Sequence, residues 1–324
     1  VTTERGQQYT FDLLIGSDGL NSIVRRTLFP DVQPKPPTTN CAYRAIVPYA
    51  QVRQDPLARE VFEKLTMEVW MAPQGYIITY PISAGRDLNL VLSHHVANPP
   101  RLVDKVEDVP ISEMRDYYAD YDPRIKRVLG MIDTVQRWPL MRTGPLPSWS
   151  NAGKNVVLMG DAAHSMTNHM AQGAATAMED GAFLGRCIAL VVEGRISVAK
   201  AIEVYEKERM PKAKLKQQIS FLNGAIWHLP DGPAQRARDA AMKVELEEKP
   251  YTRTPNLYGD PATVLSVYGY DAEAHADEAL CKEINGRERG DEAMAIDKRV
   301  SDGVMGWFLP EEYEGQQVKF TSKL

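Results

Sequence analysis

Val156-Val157-Leu158-Met159 is four apolar, largely β-favouring residues without a polar interruption, and it stops at Gly160-Asp161. A short continuous run of this kind predicts a strand covered on both faces of a parallel sheet. Phe11-Asp12-Leu13-Leu14-Ile15 ends in a similar way, at Gly16-Ser17-Asp18-Gly19, and predicts a second such strand. After each run the pattern turns helical. Asn21 or Ser22 caps a short helix carrying Ile23, Val24, Arg25 and Arg26, and an Ala- and Gly-rich helix opens at Ala171. The apolar residues 183–192 fall short of a span of ~20 residues, Arg186 interrupts them and Gly194 closes them, so they predict a buried helix.

Between the two Gly-Asp strands the spacing changes. Residues 30–37 are proline-rich and read as a linker. Residues 42–47, 67–71, 76–81 and 88–94 read as strands of an antiparallel sheet, followed by helices over 108–121 and 124–131. The chain then returns through 138–149 to the Val156 strand, so the domain holding both Gly-Asp turns is discontinuous. Ser197 opens a helix carrying Val198, Ala201, Ile202 and Tyr205, and Pro211 predicts a kink or the first turn of a further helix through Leu222. Residues 231–270 read as an ordered extension wrapped on the first domain. From Gly286 onward there is little periodicity, which predicts loosely held chain. The division expected is 1–35 with 150–195, then 36–149 as a substrate-binding sheet domain, 196–245 as C-terminal helices and 246–324 as an irregular extension.

Composition narrows the class. With 44% hydrophobic and 25% charged residues in 324, the chain can bury a core and exceeds one ordinary domain. A formal charge of -5 gives no reason to expect nucleic-acid binding. Cys41, Cys187 and Cys281 are scattered with no CxxC pair, which fits a reducing cytoplasmic setting and no zinc site. No signal-peptide pattern opens the sequence.

The Gly-Asp turns carry the chemistry. Gly160 ends a strand where a bulky side chain would obstruct a ligand, and Asp161 stands at the C-terminal edge of the sheet, the usual ligand crevice of open α/β folds. A carboxylate there accepts hydrogen bonds from sugar-like hydroxyls. The unpaired N–H groups of a helix opening near Ala171 suit a flat, electron-accepting ring. The competing reading is a tightly packed strand, loop and helix whose Asp is only a cap. Asp18 and Arg25 suit a nucleotide-type cofactor, Arg25 by pairing with phosphate, against a capped surface turn with solvated arginines.

Asp18-Gly19-Leu20-Asn21-Ser22-Ile23-Val24-Arg25 resembles the DGxxSxxR fingerprint, and Gly160-Asp161 with Gln172-Gly173 the GD fingerprint, of single-component FAD-dependent aromatic hydroxylases. The likeness is to salicylate hydroxylase-like fungal monooxygenases and extends over residues 1–275, through Arg137-Trp138-Pro139-Leu140, Pro145-Leu146-Pro147-Ser148-Trp149 and Asn223-Gly224-Ala225-Ile226-Trp227. It implies an α/β fold: an FAD-binding Rossmann-like domain with an inserted, mainly antiparallel β-sheet substrate domain and C-terminal helices. No GxGxxG occurs and the chain starts at Val1 rather than Met. The Rossmann-like domain is therefore expected to be incomplete, lacking its N-terminal βαβ, in either a portion of a longer polypeptide or a truncated product.

The resemblance implies FAD, NADH or NADPH as reductant, and oxygen transfer to a small aromatic or phenolic substrate through a flavin hydroperoxide. Gly160, Asp161, Ala171, Gln172, Gly173 and Ala174 would hold the flavin, and Asp18, Gly19, Ser22 and Arg25 would sit where FAD and the nicotinamide are both approached. Arg44, in an apolar strand, reads evenly as a group orienting an anionic substrate or as an Arg reaching solvent; the resemblance favours the former. Tyr76 and Tyr80 share a strand face and suit a phenolic substrate, with core packing expected of at least one. His94 and His95 point to opposite faces of a strand, so no metal is expected there. Many relatives carry prolines between the two parts of the GD fingerprint; here Ser165, Thr167, Asn168 and His169 stand instead, predicting a more polar wall in which Asn168 and His169 are substrate candidates. Two other functions remain, a non-catalytic flavoprotein fragment acting as a binding or partner subunit, and an FAD-dependent epoxidase. Homo-oligomer formation is left open.

Overall fold

The structure is a computed structural model that describes residues 1–35, 39–96, 106–243 and 253–285. In chain order its elements are β1 (Leu14–Gly16), α1 (Ile23–Leu28), β2 (Asn40–Pro48), α2 (Tyr49–Gln54), α3 (Arg59–Phe62), β3 (Glu68–Ala72), β4 (Gly75–Ile82), β5 (Asp87–His95) and β6 (Glu107–Asp108). Then follow α4 (Ile111–Tyr117), α5 (Pro123–Leu129), β7 (Gln136–Pro139), β8 (Val156–Leu158), α6 (Asp161–His164), α7 (Gly173–Val192), α8 (Val198–Trp227), α9 (Pro233–Met242), α10 (Pro261–Thr263) and α11 (Ala272–Asn285). They form two compact units. The first contains the described residues of Val1–Lys35, Met141–Asn223 and Met242–Gln317, and the second those of Pro36–Leu140 and Gly224–Ala241.

In the first unit the two Gly-Asp runs pair as parallel strands, Leu14 beside Val156 and Gly16 beside Leu158. Val157 and Leu158 are fully buried among Phe183, Leu184 and Cys187 of α7, Ala201, Ile202 and Tyr205 of α8, and Ala276 and Leu280 of α11. Each Val, Leu, Ile or Phe side chain among them contributes about 1.5–3 kcal/mol on leaving water. The buried helix expected over 183–192 is the second half of α7 and is buried on one side only, through Phe183, Leu184 and Cys187, with Val192 exposed. The irregular extension expected over 246–324 is corrected for its described part: Asp271 accepts the backbone N–H of Ala274 and starts α11, whose small Ala276 and Ala279 let it lie in the first unit's core. The stretch from Gly286 onward lies outside the described residues, as do 36–38 of the proline-rich linker. Pro211 does not break the chain into two helices; α8 runs 30 residues through it. Pro211 is exposed, so the hydrogen bond it cannot donate is forgone at the solvent side.

The second unit is a six-stranded antiparallel sheet ordered β3-β4-β5-β2-β7-β6. β2, β4 and β5 contain the segments expected over 42–47, 76–81 and 88–94, and β3 starts and ends one residue later than the segment expected over 67–71. Tyr43, Ala45, Val47, Ile77, Leu88, Leu90 and Leu92 form one face, buried with Met114 of α4 and Ile125, Val128 and Leu129 of α5. The helix expected over 108–121 is shorter, because Glu107 and Asp108 pair with β7 and Pro110 delays the helix to Ile111.

Candidate functional site

Because β1 and β8 are parallel, the turns after Gly16 and Leu158 leave the sheet at the same edge. Asp18 follows Gly16 by two residues and its carboxylate is fully engaged locally: Ser22 Oγ donates to it at 2.5 Å, and the N–H groups of Ile23 and Val24 at 2.7 and 3.2 Å. Burial opposes its ionisation, but these bonds prevail and hold its carboxyl below the ordinary value. Ser22 Oγ in turn accepts the Arg25 N–H at 2.8 Å, and Gly19 takes φ +75°. Arg25, directed toward a phosphate by the sequence reading, is instead turned inward and fully buried. Its guanidinium donates to the Leu20 carbonyl at 2.6 Å and the Ala162 carbonyl at 3.0 Å, tying one strand-end turn to the other. Asp18, Ser22 and Arg25 thus build the wall of the edge.

The second turn is open where the first is closed. Gly160 has φ +61° and ψ -147°, a region essentially restricted to glycine, and a Cβ there would stand 3.2 Å from Ala177 Cβ. Asp161 is exposed, and its carboxylate has no hydrogen bond among the described residues. Beside it lies the N-terminus of α7. A Cβ added to Gly173 would stand 3.9 Å from Asp161 Oδ1, so the missing side chain leaves room next to the carboxylate. Ala171, in the left-handed region at φ +51°, and Ala174 are exposed, and no side chain caps the first turn of α7. An acceptor for hydroxyls thus adjoins unpaired donors and small side chains, which is the donor set and the space a flavin's sugar-like chain and ring require.

Gln172 does not cap α7 because its side chain accepts from Lys216 Nζ at 3.1 Å. This opens a network that sequence reasoning missed. Asp180, fully buried on α7, accepts the Gly160 N–H at 3.0 Å, faces His164 Nε2 at 2.6 Å and accepts Arg209 Nε at 2.9 Å. Arg209, also fully buried, donates to Glu179 at 2.9 Å, and Lys216 donates to Glu179 as well. Burial works against the Asp180 charge, but the His164 hydrogen bond and the charges of His164 and Arg209 hold its carboxyl below the ordinary value. For Arg209, Asp180 overcomes burial and raises the guanidinium. A signal existed: Asp180 shares its helical face with Thr176, Phe183, Leu184 and Cys187, and Arg209 follows Ile202 and Tyr205 by seven and four residues. Charges at apolar-periodic positions mark buried pairs.

His169 is buried in a 3-10 turn, and Asn168 beside it is half-buried with Oδ1 lacking a partner among the described residues. In the second unit the remaining candidates share the sheet face opposite the helices. Arg44 and Tyr80 lie in adjoining rows of that face, Arg44 beside Val91 and Tyr80 beside Asn89. Arg44 is exposed, with Nε donating to Asn89 Oδ1 at 3.0 Å. Tyr80 is half-buried. Tyr76 is buried at the covered end of the face, its ring edge-on to Trp227 at 4.7 Å and to His228 at 5.1 Å. On the other face His94 stacks on Tyr43 with ring centroids 4.2 Å apart, and burial, then the nearby Arg137 charge, push its pKa down to about 4.

These features define a nucleotide-cofactor domain of α/β type whose ligand edge lies at the C-terminal ends of parallel strands. Residues 1–219 match the family described as FAD binding domain, and the chain belongs to it. It is similar to an FAD-dependent monooxygenase (OpS4) of Beauveria bassiana strain ARSEF 2860, 34% identical over 276 residues covering 83% of this chain and 62% of that one. It is likewise similar to a 3-hydroxybenzoate 6-hydroxylase of Klebsiella oxytoca, 29% identical over 80% of this chain and 61% of the other. Among solved structures a salicylate hydroxylase substrate complex superposes with a TM-score of 0.69 at 25% identity, covering 85% of this chain and 66% of that chain. The chain therefore spans about three fifths of the length of the first two relatives.

Proposed function

We infer that this chain serves an FAD-dependent monooxygenase that adds one oxygen atom of O2 to a small aromatic or phenolic ring, with NADH or NADPH as reductant. The open Asp161 carboxylate beside the uncapped, Ala- and Gly-lined start of α7 carries this reading. FAD, when bound, supplies the electron transfer and oxygen chemistry. Asp161 accepts hydrogen bonds from the cofactor's hydroxyls, Gly160 and Gly173 keep the approach clear, and the first N–H groups of α7 favour negative charge placed against them. Asp18, Gly19 and Ser22 shape the neighbouring wall. In the second unit we assign Arg44 to orienting an anionic substituent and Tyr80 to a phenolic oxygen. In the first, Asn168 and His169 are the substrate-side candidates, whereas Tyr76 is assigned to packing.

The named relatives are monooxygenases and hydroxylases, which favours ring hydroxylation over epoxidation or a non-catalytic role. Cys41 and Cys187 are buried thiols outside any disulfide, which supports a cytoplasmic setting, and no helix among the described residues is long and apolar enough to cross a membrane. The test is oxidation of NADH and of NADPH by the FAD-supplemented chain, with oxygen uptake, with and without aromatic acids and phenols. Substrate-stimulated oxidation with hydroxylated product is expected of the wild type and lost in Asp161→Ala. Absence of both from a folded, flavin-loaded chain contradicts the assignment.

A further inference from the structure

The loop over residues 165–170 connects α6 to α7, contains no proline, and has a pattern of restraint that the proposed chemistry does not itself require. Ser165 and Thr167 are in extended conformation, and residues 168–170 make a single 3-10 turn. Three of its carbonyls are each met by a side chain of α8. Gln217 Nε2 donates to the Ser165 carbonyl at 2.9 Å and to the Thr143 carbonyl at 3.0 Å. Ser220 Oγ donates to the Thr167 carbonyl at 2.5 Å, and Asn223 Nδ2 to the His169 carbonyl at 2.7 Å. The donors are three residues apart on one helix and the acceptors two apart in the loop. The Ser165 carbonyl also accepts the Thr143 N–H at 3.2 Å, so only the Thr167 and His169 carbonyls depend on α8 side chains alone. Ser165, Thr167 and His169 are buried, while Asn168 is half-buried with Oδ1 unpartnered among the described residues.

We propose that Gln217, Ser220 and Asn223 are positioning residues that fix the 165–170 loop and, through it, the orientation in which Asn168 reads a polar substituent on the ring of a bound substrate. The part concerning substrate rests on the function proposed above; the part concerning the loop does not. The physical reason is that an Asn amide discriminates donors from acceptors only when its plane is held, and a loop free to rotate presents either end. The Ser220 and Asn223 bonds are between buried groups, where a hydrogen bond to a fixed partner holds the backbone and a missing one leaves a buried carbonyl unsatisfied, while the half-buried Gln217 adds a second donor to the Ser165 carbonyl.

Two measurements on the full chain test it. The first is amide hydrogen exchange in Ser220→Ala, which removes one oxygen from a buried site, and in Gln217→Ala, at a half-buried position that tolerates truncation. Each variant is expected to speed exchange of the amides of residues 165–171 by about 2- to 12-fold, the factor a net hydrogen bond supplies, with exchange in α7, α11 and the second unit unchanged. Unchanged exchange in the loop, or equal acceleration throughout the first unit, overturns the positioning role. The second is binding of 3-hydroxybenzoate against benzoate to the FAD-loaded protein. Wild type is expected to prefer the hydroxylated ring, Ser220→Ala to lose several-fold of that preference, and the same change to have no effect in an Asn168→Ala background. Preference unaltered by Ser220→Ala, or altered equally in both backgrounds, overturns the route through Asn168. A wild type that takes up no FAD overturns the function proposed above and with it the substrate half, while the exchange result still decides the loop.

Discussion

Removing Arg209 is the severest test of how the candidate edge is supported. Its guanidinium is fully buried, with Nε 2.9 Å from Asp180 Oδ1, Nη2 2.9 Å from Glu179 Oε2, and Tyr270 beneath it at 5.1 Å. Arg209→Met preserves much of the volume but leaves Asp180 buried without its guanidinium partner. Breaking a buried pair from one side costs about 3–5 kcal/mol, because the remaining charge has neither water nor partner. Asp180 retains the Gly160 N–H and His164, which places the expected loss near the lower end, about 3 kcal/mol. Asp180→Leu alone is expected to cost a similar amount, since it leaves the buried Arg209 with Glu179 as its one carboxylate partner among the described residues and takes the acceptor from the Gly160 N–H. The double variant Asp180→Leu/Arg209→Met removes both charges and is expected to cost at least about 2 kcal/mol less than the sum of the singles. Urea unfolding followed by far-UV circular dichroism and by tryptophan emission gives all three values. A single-variant loss below about 1 kcal/mol, or strict additivity, refutes the account of this network as a mutually dependent buried pair.

Further outcomes follow from the same geometry. Gly160→Ala is expected to destabilise by about 1–3 kcal/mol, because its φ and ψ exclude a Cβ, and to weaken FAD binding in a fluorescence titration; an unchanged melting temperature counts against the assigned conformation. Asp18→Ala removes the acceptor of three donors at the start of α1 and is expected to cost about 1 kcal/mol by chemical denaturation, with no change showing that the turn is held otherwise. His94 ionises near 4 when folded against 6.5 ordinarily, so the folded chain binds fewer protons between those values. Its neutral ring therefore contributes fully above pH 6.5 and its contribution is lost as pH falls toward 4, by at most about 3 kcal/mol. A His94→Phe variant whose stability falls as steeply as wild type over that range would show that other groups set the slope.

Legibility in the sequence differed by the kind of force involved. Both parallel strands and all four long antiparallel strands were readable because one-sided or two-sided burial imposes a period, and Gly160 because a glycine closing an apolar strand has few other reasons to be there. The end of β6 and the late start of α4 were not, since a two-residue pairing leaves no period and Pro110 permits a helix start as readily as a loop. Arg25 could be identified as important but not directed: its inward turn depends on the Ala162 carbonyl, which is 137 positions away in the chain. The Asp180, Arg209 and Lys216 network and the Gln217, Ser220 and Asn223 contacts depend on which helix faces which turn. That information resides in packing and reaches the sequence only as polar residues at positions where a helix should be apolar.

The central claim is that the edge formed by Gly160, Asp161 and the start of α7 holds FAD, and titration of the purified chain with FAD tests it most directly. Flavin fluorescence is followed alongside the visible spectrum of the gel-filtered protein, with Asp161→Ala in parallel. Asp161 is exposed and its carboxylate is bonded to no described residue, so the variant is expected to unfold as wild type does while binding FAD at least tenfold more weakly. Stoichiometric flavin retained by wild type and lost by the variant is the predicted result. Equal retention by both, or none by a folded wild type, contradicts it.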